Sequence, residues 1–287
     1  AALYAGPVKK AAEFEAQMSS VQAISGASAG DMAKLSALAK EMGATTQFTA
    51  VESGKALEYM AMAGWKTKQM IGGLPGIMNL AAASGEDLGS VSDIVTDALT
   101  AFRMNAEDAG RFADVLAQAS SNANTNVGMM GATFQKVAPV AGALGYSVED
   151  MSLAIGLMAN ASIKADVAGT SLKTSLANMA KPTKQMKAYM DRYGISLTRS
   201  DGTMKTFREV VDNLRGSLGG LSEAEQVAAA TAIFGKESFA GMLAVVNASD
   251  EDYKKLSDSI NNAKDAAERM AAIKLDNLEG DITLMKS

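Results

Sequence analysis

The stretch Ile163-Lys164-Ala165-Asp166-Val167-Ala168-Gly169-Thr170-Ser171-Leu172-Lys173 lies between two Ala- and Met-rich segments, and its reading decides the fold. Ahead of it, Met151 to Ala161 is an almost unbroken apolar run. Ser162 to Asp166 is polar, and Val167 to Met179 restarts a helical pattern. Ala168, Gly169, Ser171 and Ser175 give the restarted helix a small face, and small residues let helix backbones approach closely. The stretch therefore reads as a tight junction between two helices, away from any active site.

Composition extends that reading to the whole chain. Of 287 residues, 48% are hydrophobic, only 5% are aromatic and only 4 are Pro. Ala and unbranched side chains give up little entropy in a helix, so an all-α protein is expected throughout. Cys is absent, which removes disulfides and thiolate chemistry. His is absent as well, which excludes Ser-His-Asp and Cys-His nucleophiles and most transition-metal sites. No enzymatic activity, cofactor or metal ion is expected. The net charge is −5, with ten basic and 13 acidic residues up to Ala143 and 17 and 19 beyond. Neither half is a basic footprint for phosphates, so no sequence-specific nucleic-acid partner is expected. The apolar run Ile71 to Ser84 is too short to span a bilayer, and Val227 to Ala248 is interrupted by Lys236 and Glu237. With no initiating Met and no signal peptide, the chain reads as a fragment of something longer.

Local signals mark the helix boundaries. Thr49 with Glu52, and Ser222 with Glu225, have capping-box spacing and start helices. Gly64-Trp65-Lys66-Thr67-Lys68-Gln69-Met70 resembles Gly145-Tyr146-Ser147-Val148-Glu149-Asp150-Met151, with Phe102-Arg103-Met104-Asn105-Ala106-Glu107-Asp108 as a looser third copy. In each, an aromatic residue ends one helix and a polar residue starts the next. Two readings stand: stacked helical hairpins whose junctions are plugged by aromatics, or coincidence among Ala-rich helices. Residues 195–207 alternate apolar and polar on both sides of Asp201-Gly202, which predicts one small β-hairpin. Beyond Asp250, Tyr253, Leu256, Ile260, Ala263, Ala267 and Met270, then Ala271, Leu275, Leu278, Ile282 and Met285, form a narrow apolar seam. That seam suits either a helix docked on its own domain or a coiled coil made by self-association; Gly280 weakens it.

Several motifs tempt and fail. Gly26-Ala27-Ser28-Ala29-Gly30 spells a nucleophile elbow, but a helical run precedes it and no His exists to activate Ser28. The expected alternative is a turn with Asp31 capping the next helix. Gly54-Lys55 and Gly235-Lys236 lack the preceding Gly and the following hydroxyl of a phosphate loop. The Met residues, for example Met60, Met62, Met70 and Met78, are expected to fill irregular core space.

Segments along the chain resemble, in family order, the shared N-terminal core of bacteriophage tail tape-measure proteins. Phe14-Glu15-Ala16-Gln17-Met18-Ser19-Ser20-Val21 is similar to the family's "FE-x-x-M-x-x-V", and Thr46-Gln47-Phe48-Thr49-Ala50 with Glu52 to its "T-x-F-[ST]-A-x-E". The stretch quoted above resembles "GIKGSEAGT", with Ala165 where many members carry Gly. Gly202 lies in a family-like "SDG" turn, and Ile233-Phe234-Gly235-Lys236-Glu237 resembles "IFGKE". The likeness runs from Phe14 to Asn247, and Gly64, Trp65, Gly145, Tyr146, Lys164, Ala168, Gly169, Thr170, Gly202, Phe234, Gly235, Lys236 and Glu237 are its packing residues.

The resemblance implies a structural protein of the virion tail. Such a protein occupies the tail-tube lumen, sets tail length, and is released during DNA ejection after assembly in the host cytoplasm. Implied partners are further copies of itself, tail-tube and tail-tip or baseplate proteins, tail assembly chaperones, and the host membrane during ejection. The expected division is a helical core domain over 1–250 and an extended C-terminal helix over 251–287 leading toward the rest of the ruler. The competing reading is a membrane-active helical protein that permeabilises a bilayer.

Overall fold

The computed structural model describes residues 2–276, with residues 2–7 as backbone alone. The helical pattern resolves into α1 (Ala2–Ser25), α2 (Ala29–Thr45), α3 (Ala50–Met62), α4 (Thr67–Ser84) and α5 (Leu88–Ala101). A 3-10 turn at Ala106–Asp108 precedes α6 (Ala109–Asn122), α7 (Val127–Ala143), α8 (Val148–Asn160), α9 (Ala165–Ala180) and α10 (Lys184–Arg192). The chain continues through α11 (Phe207–Leu218), α12 (Glu223–Phe234), α13 (Phe239–Val246), α14 (Asp250–Asn261) and α15 (Ala266–Leu275).

These helices belong to two units. The first holds the described residues of Ala1–Thr100, Met104–Ala117 and Lys264–Ser287. There α3 packs on α1 and α2, and α4 packs on α3 and α15. Leu57, Met60, Met70, Leu74, Ile77 and Met78 are fully buried, whereas Met62 is 58% exposed, so the Met stripe is core on one side only. Gly54 brings α3 against α1: a Cβ there would lie 2.8 Å from Gln17 Cγ. The Asp114 carboxylate of α6 accepts the backbone amides of Asp265 and Ala267 at 2.8 and 3.0 Å. It caps α15 where Asp265, at φ +58, supplies no cap of its own.

The second unit holds Ala101–Arg103 and Gln118–Ala263. Its most extensive pairing is α7 with α9, and α13 packs on α8, α9 and α12. Helices thus pair with next-but-one neighbours more than with the next, unlike a simple stack of consecutive hairpins. The C-terminal seam is divided as well. Asn262 to Asp265 separates α14 from α15; Leu256 and Ile260 are buried in the second unit, Ala267 and Ala271 in the first. Leu278, Gly280, Ile282 and Met285 lie outside the described residues.

The small β-hairpin expected at residues 195–207 is absent, and no strand forms among the described residues. One isolated antiparallel bridge joins Thr198 and Met204. Around it, Arg199 N donates to the Thr203 carbonyl and Lys205 N to the Leu197 carbonyl, both at 2.8 Å, with Gly202 at φ +84. Asp201-Gly202 therefore turns the chain, but the ladder does not propagate. Asn213 of α11 accepts from Ser196 N at 3.3 Å and donates to the Gly194 carbonyl at 3.2 Å. Ser196 Oγ both donates to the Thr198 carbonyl and accepts from its amide. Side chains take the backbone groups that further rungs would need, which is how short polar residues compete with regular structure.

Helix starts follow the capping rules. Thr49 and Glu52 form a complete capping box. Glu209 accepts from Thr206 N at 2.6 Å and pairs with Arg199, and Glu225 accepts from Ser222 Oγ at 2.6 Å. These bonds favour the ionised form. The Thr206 amide first, then Arg199, holds Glu209 below the ordinary 4.5; the Ser222 hydroxyl does the same for Glu225, and the Thr203 hydroxyl holds Asp201 below 3.8. A carboxylate depressed in the folded state stabilises above its unfolded value and loses that contribution as pH falls through its folded value. Denaturant titrations at stepped pH are expected to give level stability down to about pH 5 and a decline below it, shallower in Glu209→Gln. Stability unchanged down to pH 3 would contradict these caps.

Candidate functional site

Five helices end in the same backbone geometry. The second residue past each helix turns to positive φ, and the one after it donates its amide five residues back, closing a Schellman-type cap. The bonds are Trp65 N to the Met60 carbonyl (3.0 Å), Met104 to Leu99 (2.9 Å), Tyr146 to Ala141 (3.0 Å), Ile163 to Met158 (2.9 Å) and Ile195 to Met190 (2.8 Å). The positive-φ residues are Gly64, Arg103, Gly145, Ser162 and Gly194. In the first four, an extended N-cap follows at once: Lys66, Asn105, Ser147 and Lys164. The three look-alike sequences are thus one junction, with the third copy displaced by two residues from a match on its aromatic, so that Met104, and not Phe102, matches Trp65 and Tyr146. Ser162-Ile163-Lys164 is a fourth copy, hidden from sequence comparison because Ser replaces the usual Gly.

At three of the junctions the apolar residue, Trp65, Tyr146 or Ile195, is buried, whereas Met104 and Ile163 are half-buried. Trp65 is 7% exposed and its ring fills the room left by Gly73, where a Cβ would lie 2.4 Å away. Tyr146 is buried against Phe207, with centroids 5.3 Å apart. Burial pushes its phenol up to about 12, and the hydroxyl has no partner among the described residues. Phe102 packs edge-on against Phe134 at 5.7 Å.

After the fourth junction, α9 becomes the hub of the second unit. Thr133 of α7 donates its hydroxyl to the Ala165 carbonyl at 2.9 Å, and Lys136 reaches Asp166 at 3.2 Å. One turn on, a Cβ at Gly169 would lie 2.9 Å from the Thr133 carbonyl oxygen, so α7 and α9 meet backbone to backbone. Ala168 is fully buried, Lys164 is half-buried and Thr170 is exposed. On the next face, Ser171 Oγ donates to the Ser238 carbonyl at 2.8 Å, and Gly241 of α13 leaves room for that hydroxyl. Further along, Asn178 donates to the Phe234 carbonyl at 2.9 Å and closes the end of α12. Phe234 is fully buried, Gly235 turns the chain at φ +90, and Lys236 and Glu237 point outward. Two motifs some 65 residues apart in sequence, Ile163–Lys173 and Ile233–Glu237, therefore meet along α9. Thr133, Asn178, Ser238 and Gly241 complete this contact without a signal in the sequence, since single polar or small residues in Ala-rich helices do not announce their partners.

The remaining motifs serve the backbone. Ser28, and not Asp31, caps α2: its hydroxyl accepts the Asp31 amide at 3.2 Å, while Asp31 binds Lys34 at 3.0 Å. Among the described residues, no three His, Cys, Asp or Glu converge as a metal site requires, and no helix is long and apolar enough to cross a membrane.

The family model described as Phage-related minor tail protein matches residues 36–235, most of the chain and the whole of α9. The chain belongs to that family of phage tail proteins. It is 37% identical over 281 residues, 98% of its length, to a tape measure protein of Pneumococcus phage Dp-1. It is 24% identical over 280 residues, 96% of its length, to a probable tape measure protein of Escherichia phage P2. The chain spans 24% and 34% of these relatives' own lengths. No solved structure matches it significantly.

One detail of the hub departs from unstrained geometry. Ala165 has φ +50, in the left-handed region that favours Gly. A Cβ in this region costs about 1–2 kcal/mol, part of which Gly gives back through its freer unfolded chain. Ala165→Gly is expected to raise unfolding free energy by about 0.5–1 kcal/mol, and Gly145→Ala, at φ +75 in open space, to lower it by about 1 kcal/mol. Gly169→Val, driven into the α7 backbone, is expected to cost about 2–3 kcal/mol. Denaturant unfolding of the three variants checks all three signs.

Proposed function

We propose that this chain is a non-enzymatic helical module of a tape measure protein. The observation that carries the reading is 37% identity to the Dp-1 tape measure protein across 98% of the chain. The junction-linked helices support it: their geometry closes backbone groups and packs small faces. In this reading the full-length protein occupies the tail-tube lumen, sets tail length through helical segments beyond the 287 residues, and leaves during DNA ejection. The module's partners are copies of itself, tail-tube and tail-tip or baseplate proteins, and assembly chaperones in the host cytoplasm. Contact with the host membrane belongs to the ejection step. The core domain leads through its C-terminal segment into the rest of the ruler. Leu256, Ile260, Ala267 and Ala271 are buried within their own units, so these seam positions are not offered to a second copy.

A helix rises about 1.5 Å per residue. Removing 100 residues in frame from outside this region of the full-length protein is expected to shorten tails by roughly 150 Å in electron micrographs. Tails of unchanged length would contradict the ruler role.

A further inference from the structure

Lys173 to Lys205 holds seven Lys and Arg against two Asp, a local charge of +5 in a chain whose total is −5. Part of that charge is already engaged. Lys187 pairs with Asp191 at 2.7 Å, Arg199 pairs with Glu209, and Arg192 lies 5.3 Å from the Tyr193 ring centroid. Lys173, Lys181 and Lys184 are exposed and have no carboxylate partner among the described residues.

These cations sit beside a cavity of about 320 Å³ between the end of α9, α10 and the 195–204 turn. Its floor is apolar: Met179, Met190, Ile195 and Leu197 line it and are buried. Met204, 38% exposed, lies on its edge. Lys187 lines the cavity and Lys184 stands one turn before it on α10; Lys181 is flanked by Ala180 and Pro182, both lining residues. Lys173 lies two turns before Ala180 on the same face of α9.

We propose that this cavity docks an acidic protein segment bearing an apolar anchor side chain. The floor can remove one or two Leu-sized side chains from water, the main source of affinity for a small contact. The lysines around it complement carboxylates flanking the anchor and raise the rate of encounter. Single-stranded nucleic acid fits less well, because the floor offers aliphatic and thioether side chains in place of the aromatic platforms on which bases stack.

Fluorescence anisotropy with the whole chain tests this using three labelled probes: the hexapeptides EELLEE and EEAAEE, and a 12-nucleotide single-stranded DNA. EELLEE is expected to bind, at least tenfold more tightly than EEAAEE or the DNA, and to weaken as salt rises. Lys181→Glu with Lys184→Glu is expected to reduce EELLEE affinity at least tenfold. Ala180→Phe, which narrows the cavity without changing charge, is expected to reduce it as well. All three positions are exposed, and an unchanged helical circular dichroism spectrum confirms folding. Absence of EELLEE binding, equal binding of the two peptides, tighter binding of DNA, or affinity unaffected by both variants would each overturn the proposal.

Discussion

Helix α9 lies against α7 at backbone distance because residue 169 has no side chain, and most of the second unit depends on that approach. A larger residue would meet the Thr133 carbonyl. With the approach made, Thr133 can reach the Ala165 carbonyl, Ser171 can reach the Ser238 carbonyl, and Asn178 can close α12. The Asn178 bond satisfies a carbonyl at the C-terminus of α12, where a buried acceptor without a partner costs about 1–3 kcal/mol; the other two tie the first turn of α9 to α7 and the start of α13 to α9. Tight packing and polar closure are therefore one arrangement. Small residues bring the backbones together, and short side chains then span the remaining gap. The arrangement has a residue of cost: the Ser175 hydroxyl, on the same face of α9, is buried without a partner among the described residues.

The second recurring constraint is the way helices stop. A positive-φ residue, an apolar residue and an extended N-cap redirect the chain within three residues, and at Trp65 and Tyr146 the apolar residue anchors the corner in the core. With Gly in the first position the motif was legible at Gly64-Trp65-Lys66 and Gly145-Tyr146-Ser147, though not at Gly194-Ile195, where no N-cap follows at once. Where Arg103 or Ser162 holds it, the motif was misaligned or missed, because nothing in those residue types announces positive φ. Ala165 shows the same limit from the other side. Nothing in its residue type announces positive φ, and the backbone adopts it there.

Other successes and failures follow the same division between local and distant causes. The all-helical class, the capping boxes at Thr49 and Ser222, and the small face of α9 are local and were readable from spacing. The hairpin was misjudged because alternation and Asp-Gly are local signals, whereas Asn213, which takes the Ser196 amide, lies on a later helix. The cationic rim escaped a reading by halves: Lys173 to Lys205 is diluted when averaged with the acidic residues around it. For a tail protein this economy makes sense. Helix ends are satisfied and small faces matched by short side chains, and the local charge of +5 lies beside a cavity.

Native-state hydrogen exchange followed by NMR tests the central claim most directly, since it reports the opening free energy of each helix separately. If the α7–α9 contact holds the second unit, the slowest amides of α7, α9 and α13 should exchange through one shared opening, at the highest free energy in that unit. Amides of α9 exchanging through a lower-energy opening, while those of α7 and α13 stay protected, would contradict it.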